Sequence, residues 1–89
     1  MKRIYCDNSA TTKVYPEVTK EINKYLKDKW GNPSSLYMEG RLVKEKIFEA
    51  KERISKILNC EPDEIYFTSG GSESNNLFIK GCFNYYNRF

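Results

Sequence analysis

The sequence predicts an α/β fold, and three observations carry that expectation. A short strand-like run, Glu64-Ile65-Tyr66-Phe67, breaks on two glycines and restarts as a helix. Two earlier stretches place apolar residues at helical spacing with charged residues between them. The final helical stretch is apolar on nearly every face, the pattern of a helix meant to be covered on all sides. Strand, helix, long helix, strand, helix is the opening of an α/β sheet.

At the N-terminus, Arg3 to Cys6 reads as a short strand, and Asp7-Asn8-Ser9 breaks it, since these residues bond their own backbone in turns. Pro16 suits a first helical turn. From Pro16 to about Trp30, Val18, Ile22, Tyr25 and Leu26 form an apolar face, with Lys20, Glu21, Lys24 and Lys27 on the wet side. Gly31-Asn32-Pro33-Ser34-Ser35 is a loop: Gly31 can end the helix, Pro33 disfavours a helical Asn32, and either serine can cap the next helix. A long helix is expected from about Ser35 to Asn59, with Leu36, Val43, Ile47, Ala50, Ile54, Ile57 and Leu58 as one buried stripe. Gly40 lies within it, so either the first turns are loose or something packs closely there. The charged run from Lys44 to Arg53 reads as a solvated face with i,i+4 pairs. Cys60 to Asp63 is a second loop, and the last helix runs from Ser72 to about Tyr86.

Composition narrows the function classes. An apolar fraction of 39% with 30% charged residues fits a globular chain rather than a disordered one, and 89 residues allow one small domain at most. A formal charge of +3, spread over helical faces, gives no reason to expect nucleic acid. No apolar segment follows Met1-Lys2-Arg3 as a signal peptide would require, and no run reaches membrane-spanning length, so a cytoplasmic, non-membrane protein is expected. Cys6, Cys60 and Cys82 are odd in number and far apart, with no C-x-x-C pair. They read as small buried hydrophobes, not as a disulfide framework or a metal site. The sequence contains no histidine, which excludes Ser-His and Cys-His nucleophile pairs built from this chain alone.

The stretch Thr68 to Asn76 carries the chemistry. A strand that turns on Gly70-Gly71 into a helix leaves backbone N–H groups without partners at the positive end of the helix dipole, which suits a phosphate or another anion. Glycine lets the backbone approach such a group, and the hydroxyls of Ser69, Ser72 and Ser74 can add donors. The alternative is a plain turn with Ser72 as the helix N-cap. The stretch is not a Walker A loop, because no Gly-Lys-Ser/Thr is present. Nor is it a dinucleotide fingerprint, since the third glycine is absent.

The last helix decides the domain question. Leu77, Phe78, Ile79, Cys82, Phe83, Tyr85 and Tyr86 surround it, and nothing else in the sequence can cover them. A parallel sheet also needs strands on either side of Glu64–Phe67. The chain therefore reads as the first part of a larger protein.

Four motifs, read together, resemble the N-terminus of cysteine desulfurases of the NifS/IscS type, members of the aminotransferase class V family that depend on pyridoxal 5′-phosphate. They are Tyr5 to Thr12, Pro16-Glu17-Val18, Gly31 to Ser35 with Gly40, and Phe67 to Asn76. Their order and spacing follow the family over about the first 85 residues. The resemblance implies the N-terminal portion of the fold type I transferase architecture, truncated to one core strand plus helices. Residues 1–15 would run toward the small domain, and residues 64–86 would begin the cofactor-binding large domain. It also implies that Gly71 and Ser72 hold the cofactor phosphate. The family usually has Ala-Thr or Gly-Thr there, so Gly-Ser is a mild departure that keeps a hydroxyl. Asn8, Ala10 and Thr11 become candidates for the substrate side, against the alternative of a simple turn.

In the family, the Schiff-base lysine, the aspartate on the pyridine nitrogen, the histidine stacked on the ring, the substrate-gripping arginine and the sulfur-accepting cysteine all lie beyond the matched region. None of Cys6, Cys60 or Cys82 corresponds to that cysteine. The expected activity of a complete relative converts L-cysteine to L-alanine and passes sulfur to an enzyme cysteine, then to an acceptor protein for iron–sulfur cluster or thio-cofactor synthesis, in a homodimer. Residues 1–89 alone are expected to be inactive. Two other classes stand beside this reading: a non-enzymatic remnant that binds a partner through the Leu77–Tyr86 face, and a plain phosphate- or nucleotide-binding module on the glycine turn.

Overall fold

A computed structural model of the chain describes residues 1–88 and contains three α-helices: α1, Pro16–Lys27; α2, Met38–Leu58; and α3, Gly71–Tyr86. One 3₁₀ turn, Pro62–Glu64, lies between α2 and α3. The chain divides into two compact units, Met1–Ile47 and the residues from Phe48 onward, and the division falls within α2.

In the first unit, α1 starts where Pro16 occupies its first turn, behind an extended Tyr15 that provides no side-chain cap. Glu17 near its start and Lys24 and Lys27 near its end match the helix dipole. Lys24 pairs with Glu21 one turn earlier. The helix ends at Lys27, short of the expected Trp30, where the N–H groups of Asp28 and Lys29 both converge on the Lys24 carbonyl at 2.9 and 3.0 Å.

The loop after α1 is an elbow closed by backbone contact. The Asn32 side-chain oxygen accepts the Ser34 N–H at 2.9 Å, and its carbonyl accepts the Ser35 N–H at 3.0 Å. Both serine N–H groups are thus tied into the turn. Neither serine caps α2, which begins three residues later than expected and receives its Arg41 N–H on the Tyr37 carbonyl. Gly40 is buried against this elbow. A Cβ there would run into the Asn32 carbonyl oxygen and lie 2.7 Å from both Ser35 Cβ and Ser35 O. Gly31 faces the same constraint, with the Glu39 carbonyl oxygen 2.7 Å from its would-be Cβ. Of the two alternatives for Gly40, close packing is the one observed.

In the second unit, α2 ends as a helix with a left-handed Asn59, φ 55°, and a Cys60 N–H bonded to the Ser55 carbonyl at 3.0 Å. This six-to-one bond is a Schellman-type closure. Ser55, 4% exposed, donates its hydroxyl to the Glu52 carbonyl at 2.9 Å. The expected buried stripe of α2 is half-buried at Val43, Ile47, Ala50 and Ile54, and exposed at Leu36, Ile57 and Leu58.

Neither expected strand forms among the described residues. Arg3–Cys6 is irregular, and Glu64 is drawn into the 3₁₀ turn, where its carboxylate accepts the Glu61 N–H at 2.8 Å. Ile65 keeps extended dihedrals, φ −99° and ψ 124°, but no ladder accompanies it. A strand exists only through pairing, and no described residue supplies the partner edge. The described residues also include no buried apolar side chain. On α3, Phe78 is 71% exposed and Phe83 67%, so the surface expected to lack cover is uncovered. No helix of the described residues is long and apolar enough to cross a membrane.

Candidate functional site

The turn between Phe67 and α3 is built by its own side chains. Gly70 is the residue before the helix, in extended conformation, and Gly71, Ser72 and Glu73 are the first three helical positions. Ser72 is therefore the second residue inside the helix. The alternative in which its side chain caps the helix is not what forms: the capping position belongs to a glycine and has no side-chain cap bond. The N–H groups of Gly71, Ser72 and Glu73 precede the first residue that can bond back along the helix, which is Ser74, donating to the Gly70 carbonyl at 3.1 Å.

Two of the three serine hydroxyls expected as anion donors are engaged within the turn. Ser69 donates both its backbone N–H and its hydroxyl to Glu73 Oε2, at 2.9 and 2.5 Å. Ser74 and Thr68 share a hydroxyl contact of 2.6 Å, and Thr68 Oγ1 also donates to the Gly70 carbonyl at 3.1 Å. Thr68 has one proton, so Ser74 is the donor in the pair. The Ser72 hydroxyl has no partner among the described residues, while its carbonyl accepts the Asn76 amide at 2.8 Å.

Glu73 is the member of this turn that the sequence alone did not single out. A glutamate at the third helical position, just after a serine–glycine pair, is the available signal, since that position reaches back over the helix start. Its bonds to the Ser69 hydroxyl, and secondly to the Ser69 N–H, hold its carboxyl below the usual glutamate range. The charge also sits favourably at the positive end of α3.

The space in front of the turn is open. Cβ atoms built at Gly70 and Gly71 meet nothing within 4 Å. With the N–H groups of Gly71 and Ser72 and the unengaged Ser72 hydroxyl, this makes an accessible set of donors at a helix N-terminus. Such a set fits a phosphate. Beside it, Glu64, Tyr66, Thr68, Ser74, Leu77 and Phe78 line an open, mostly apolar depression of about 500 Å³.

The candidate substrate-side residues belong to the other unit, Met1–Ile47. Asn8, Ala10 and Thr11 form an exposed turn around Asp7, whose carbonyl accepts the Ala10 N–H at 3.1 Å and the Tyr5 hydroxyl at 2.8 Å. Ser9 donates to the Asp7 carboxylate at 3.1 Å. The cysteines depart from the expectation of burial: Cys6 is exposed and Cys60 and Cys82 are half-buried, because the described residues form no buried apolar core to receive them. No metal-ligating cluster occurs among the described residues.

Comparison with known proteins places this geometry in context. The family model described as Aminotransferase class-V matches residues 4–87. The cysteine desulfurase IscS of Dictyoglomus turgidum is 50% identical over 82 residues, covering 91% of this chain and 21% of that protein. Selenocysteine lyase of Bos taurus is 40% identical over 87 residues, covering 98% of this chain and 20% of the lyase. The human selenocysteine lyase is 46% identical over 78 residues, covering 88% of this chain and 18% of the lyase. The chain spans about a fifth of the length of these curated relatives. The resemblance to the N-terminal part of an IscS-type enzyme therefore holds over most of the sequence.

Proposed function

This chain belongs to the aminotransferase class V family, and on that premise we propose that it is the cofactor-phosphate-binding N-terminal portion of a pyridoxal 5′-phosphate-dependent cysteine desulfurase. The observation that carries the reading is the open donor set at the start of α3. Gly71 and Ser72 would hold the phosphate through their backbone N–H groups, and Ser72 through its hydroxyl as well. When bound, the pyridoxal ring supplies an electron sink for cleavage at the substrate's sulfur-bearing carbon. Fixing the phosphate by several donors locates the ring relative to the protein, which is the contribution of these residues to the chemistry.

In this reading residues 64–86 open the large domain of a fold type I transferase, and residues 1–15 lead toward the small one. The uncovered apolar surface of α3 and the unpaired, extended Ile65 suit the flank of a sheet. Asn8, Ala10 and Thr11 face the substrate side. The substrate is L-cysteine, the sulfur passes to an enzyme cysteine and on to an acceptor protein for iron–sulfur cluster or thio-cofactor synthesis, and the enzyme is a cytoplasmic homodimer. Residues 1–89 taken alone supply the phosphate clamp and none of the reacting groups, so mixed with cysteine and cofactor they yield no more sulfide than cofactor with a lysine-rich peptide. A second reading exchanges sulfur for selenium, favoured by the 46% identity to human selenocysteine lyase. The phosphate clamp serves both.

The test joins residues 1–89 to the remaining part of the Dictyoglomus turgidum IscS and follows cofactor dissociation on dialysis. Ser72→Ala removes one charge-assisted hydrogen bond, so affinity falls about ten- to a hundredfold. Thr19→Ala on exposed α1 is the control. Equal retention in Ser72→Ala and the Thr19 control would remove the hydroxyl from the site and leave the backbone donors alone.

A further inference from the structure

We infer that Glu73 is a positioning residue for the cofactor phosphate: by engaging Ser69 it fixes the glycine turn in the shape that presents the Gly71 and Ser72 donors. This role rests on the proposal that Gly71 and Ser72 hold the phosphate. Two adjacent glycines with open space around them have no side chain of their own to hold a conformation. Their shape has to be set from the flanks. Glu73 does so by accepting two bonds from Ser69, across the whole of the Gly70-Gly71 pair. The Thr68–Ser74 hydroxyl contact spans the same pair from one residue further out on each side, and Thr68 also holds the Gly70 carbonyl between them. Glu73 is the only charged member of this set.

The arrangement also divides the donors. Ser69 is bound to Glu73, and Thr68 and Ser74 are bound to each other, so the phosphate meets Gly71 and Ser72. A carboxylate beside a phosphate site has an opposing effect, because like charges repel. If repulsion governed, removing the charge would tighten cofactor binding. If the turn's shape governs, removing the side chain lowers the fraction of binding-competent turns, and the apparent affinity falls by the same factor. Glutamine separates the two. It has the same length and still accepts the Ser69 N–H, but carries no charge.

The experiment uses the joined, full-length chain with Glu73→Ala and Glu73→Gln. It measures retention of pyridoxal 5′-phosphate and of pyridoxal, which lacks the phosphate, and the ³¹P resonance of the bound cofactor. In the expected result Glu73→Ala loses phosphate-bearing cofactor about tenfold faster and its ³¹P signal moves toward that of free cofactor. Glu73→Gln stays within about threefold and keeps the ³¹P position, and pyridoxal retention is unchanged in both. Retention at or above the parent level in Glu73→Ala overturns the inference, and so does an equal loss in the two variants. A matching loss of pyridoxal also overturns it, since that reports general damage. Ser72→Ala and Gly71→Val in the same chain keep the two claims separate. If they weaken phosphate-dependent retention and Glu73→Ala does not, only the role of Glu73 fails; if none of them does, the phosphate site itself fails.

Discussion

Gly40 and Gly71 are the same residue under opposite constraints. At Gly40 the chain itself forbids a side chain, because the Asn32 carbonyl and Ser35 already occupy the space where a Cβ would lie. At Gly71 the chain forbids nothing: the residue is helical, and a Cβ would point into open space. Gly40 thus answers to packing between two segments of the chain. In the proposed reading, the open face of Gly71 is where an anion would seat on the helix start. Substitutions at the two sites should therefore separate stability from cofactor binding.

The widest test asks whether packing of the Gly40 kind extends beyond the elbow. No apolar side chain among the described residues is buried, and Phe78, Phe83 and Tyr86 on α3 are largely exposed. Residues 1–89 as an isolated polypeptide should therefore associate, or populate a loosely packed helical state, without a cooperative transition. Calorimetry together with amide dispersion checks this. A sharp two-state melt of a monomer would show that the segment carries a core of its own.

Next in size is Gly71→Val in the joined, full-length chain. A branched side chain placed in the open space obstructs the phosphate's approach to the N–H groups. The loss should exceed that of Ser72→Ala and reach beyond about a hundredfold in affinity, roughly 3 kcal/mol. Thermal stability without cofactor should change little, since among the described residues a Cβ at Gly71 meets nothing within 4 Å beyond its neighbours and its own helix backbone. Gly40→Ala should invert this pattern. Its Cβ meets backbone atoms, which cannot swing aside, so the elbow shifts and stability falls by about 1–3 kcal/mol. The ratio of pyridoxal 5′-phosphate to pyridoxal retention should stay at the parent value. If Gly40→Ala instead alters that ratio as strongly as Gly71→Val, the division between the two glycines does not hold.

What the sequence made legible was what short-range chemistry decides. Pro16 marked the start of α1, Gly70-Gly71 marked the start of α3, and Gly40 pointed to either loose first turns or a close approach, the second being the one observed. Each acts through its own backbone or through the absence of a side chain. Arg3–Cys6 and Glu64–Phe67 misled because a strand is a property of a pair, and β-forming residues without a partner edge remain irregular or join a local turn, as Glu64 does. The half-buried stripe of α2 has the same origin, since periodicity reports which face seeks cover and not whether cover is present. At the candidate site, Gly71 and Ser72 could be picked out from spacing and family motif. The engagement of Ser69 by Glu73 could not, because it depends on how far the carboxylate folds back over the helix start.

The smallest effect tests that last contact by its acid–base behaviour. The Ser69 hydroxyl first, and the Ser69 N–H second, stabilise ionised Glu73 and lower its pKa below the ordinary 4.5. A carboxyl whose folded value lies below its unfolded value supports the folded turn above the unfolded pKa, and that support is lost as pH falls through the folded one. Glu73 lies at the surface, so the effect is local and shows best in the Ser69 amide proton. With Glu73 ionised, the bond to its carboxylate shifts that proton downfield, and protonation should return it upfield with a midpoint below 4.5. Glu73→Gln should abolish the titration while the Asn87 amide, bonded to the Phe83 carbonyl at the end of α3 in a turn without carboxylates, serves as a reference. A midpoint at or above 4.5 would mean that Ser69 does not hold the carboxylate, and the glycine turn would then lack the clasp that distinguishes it from a free helix end.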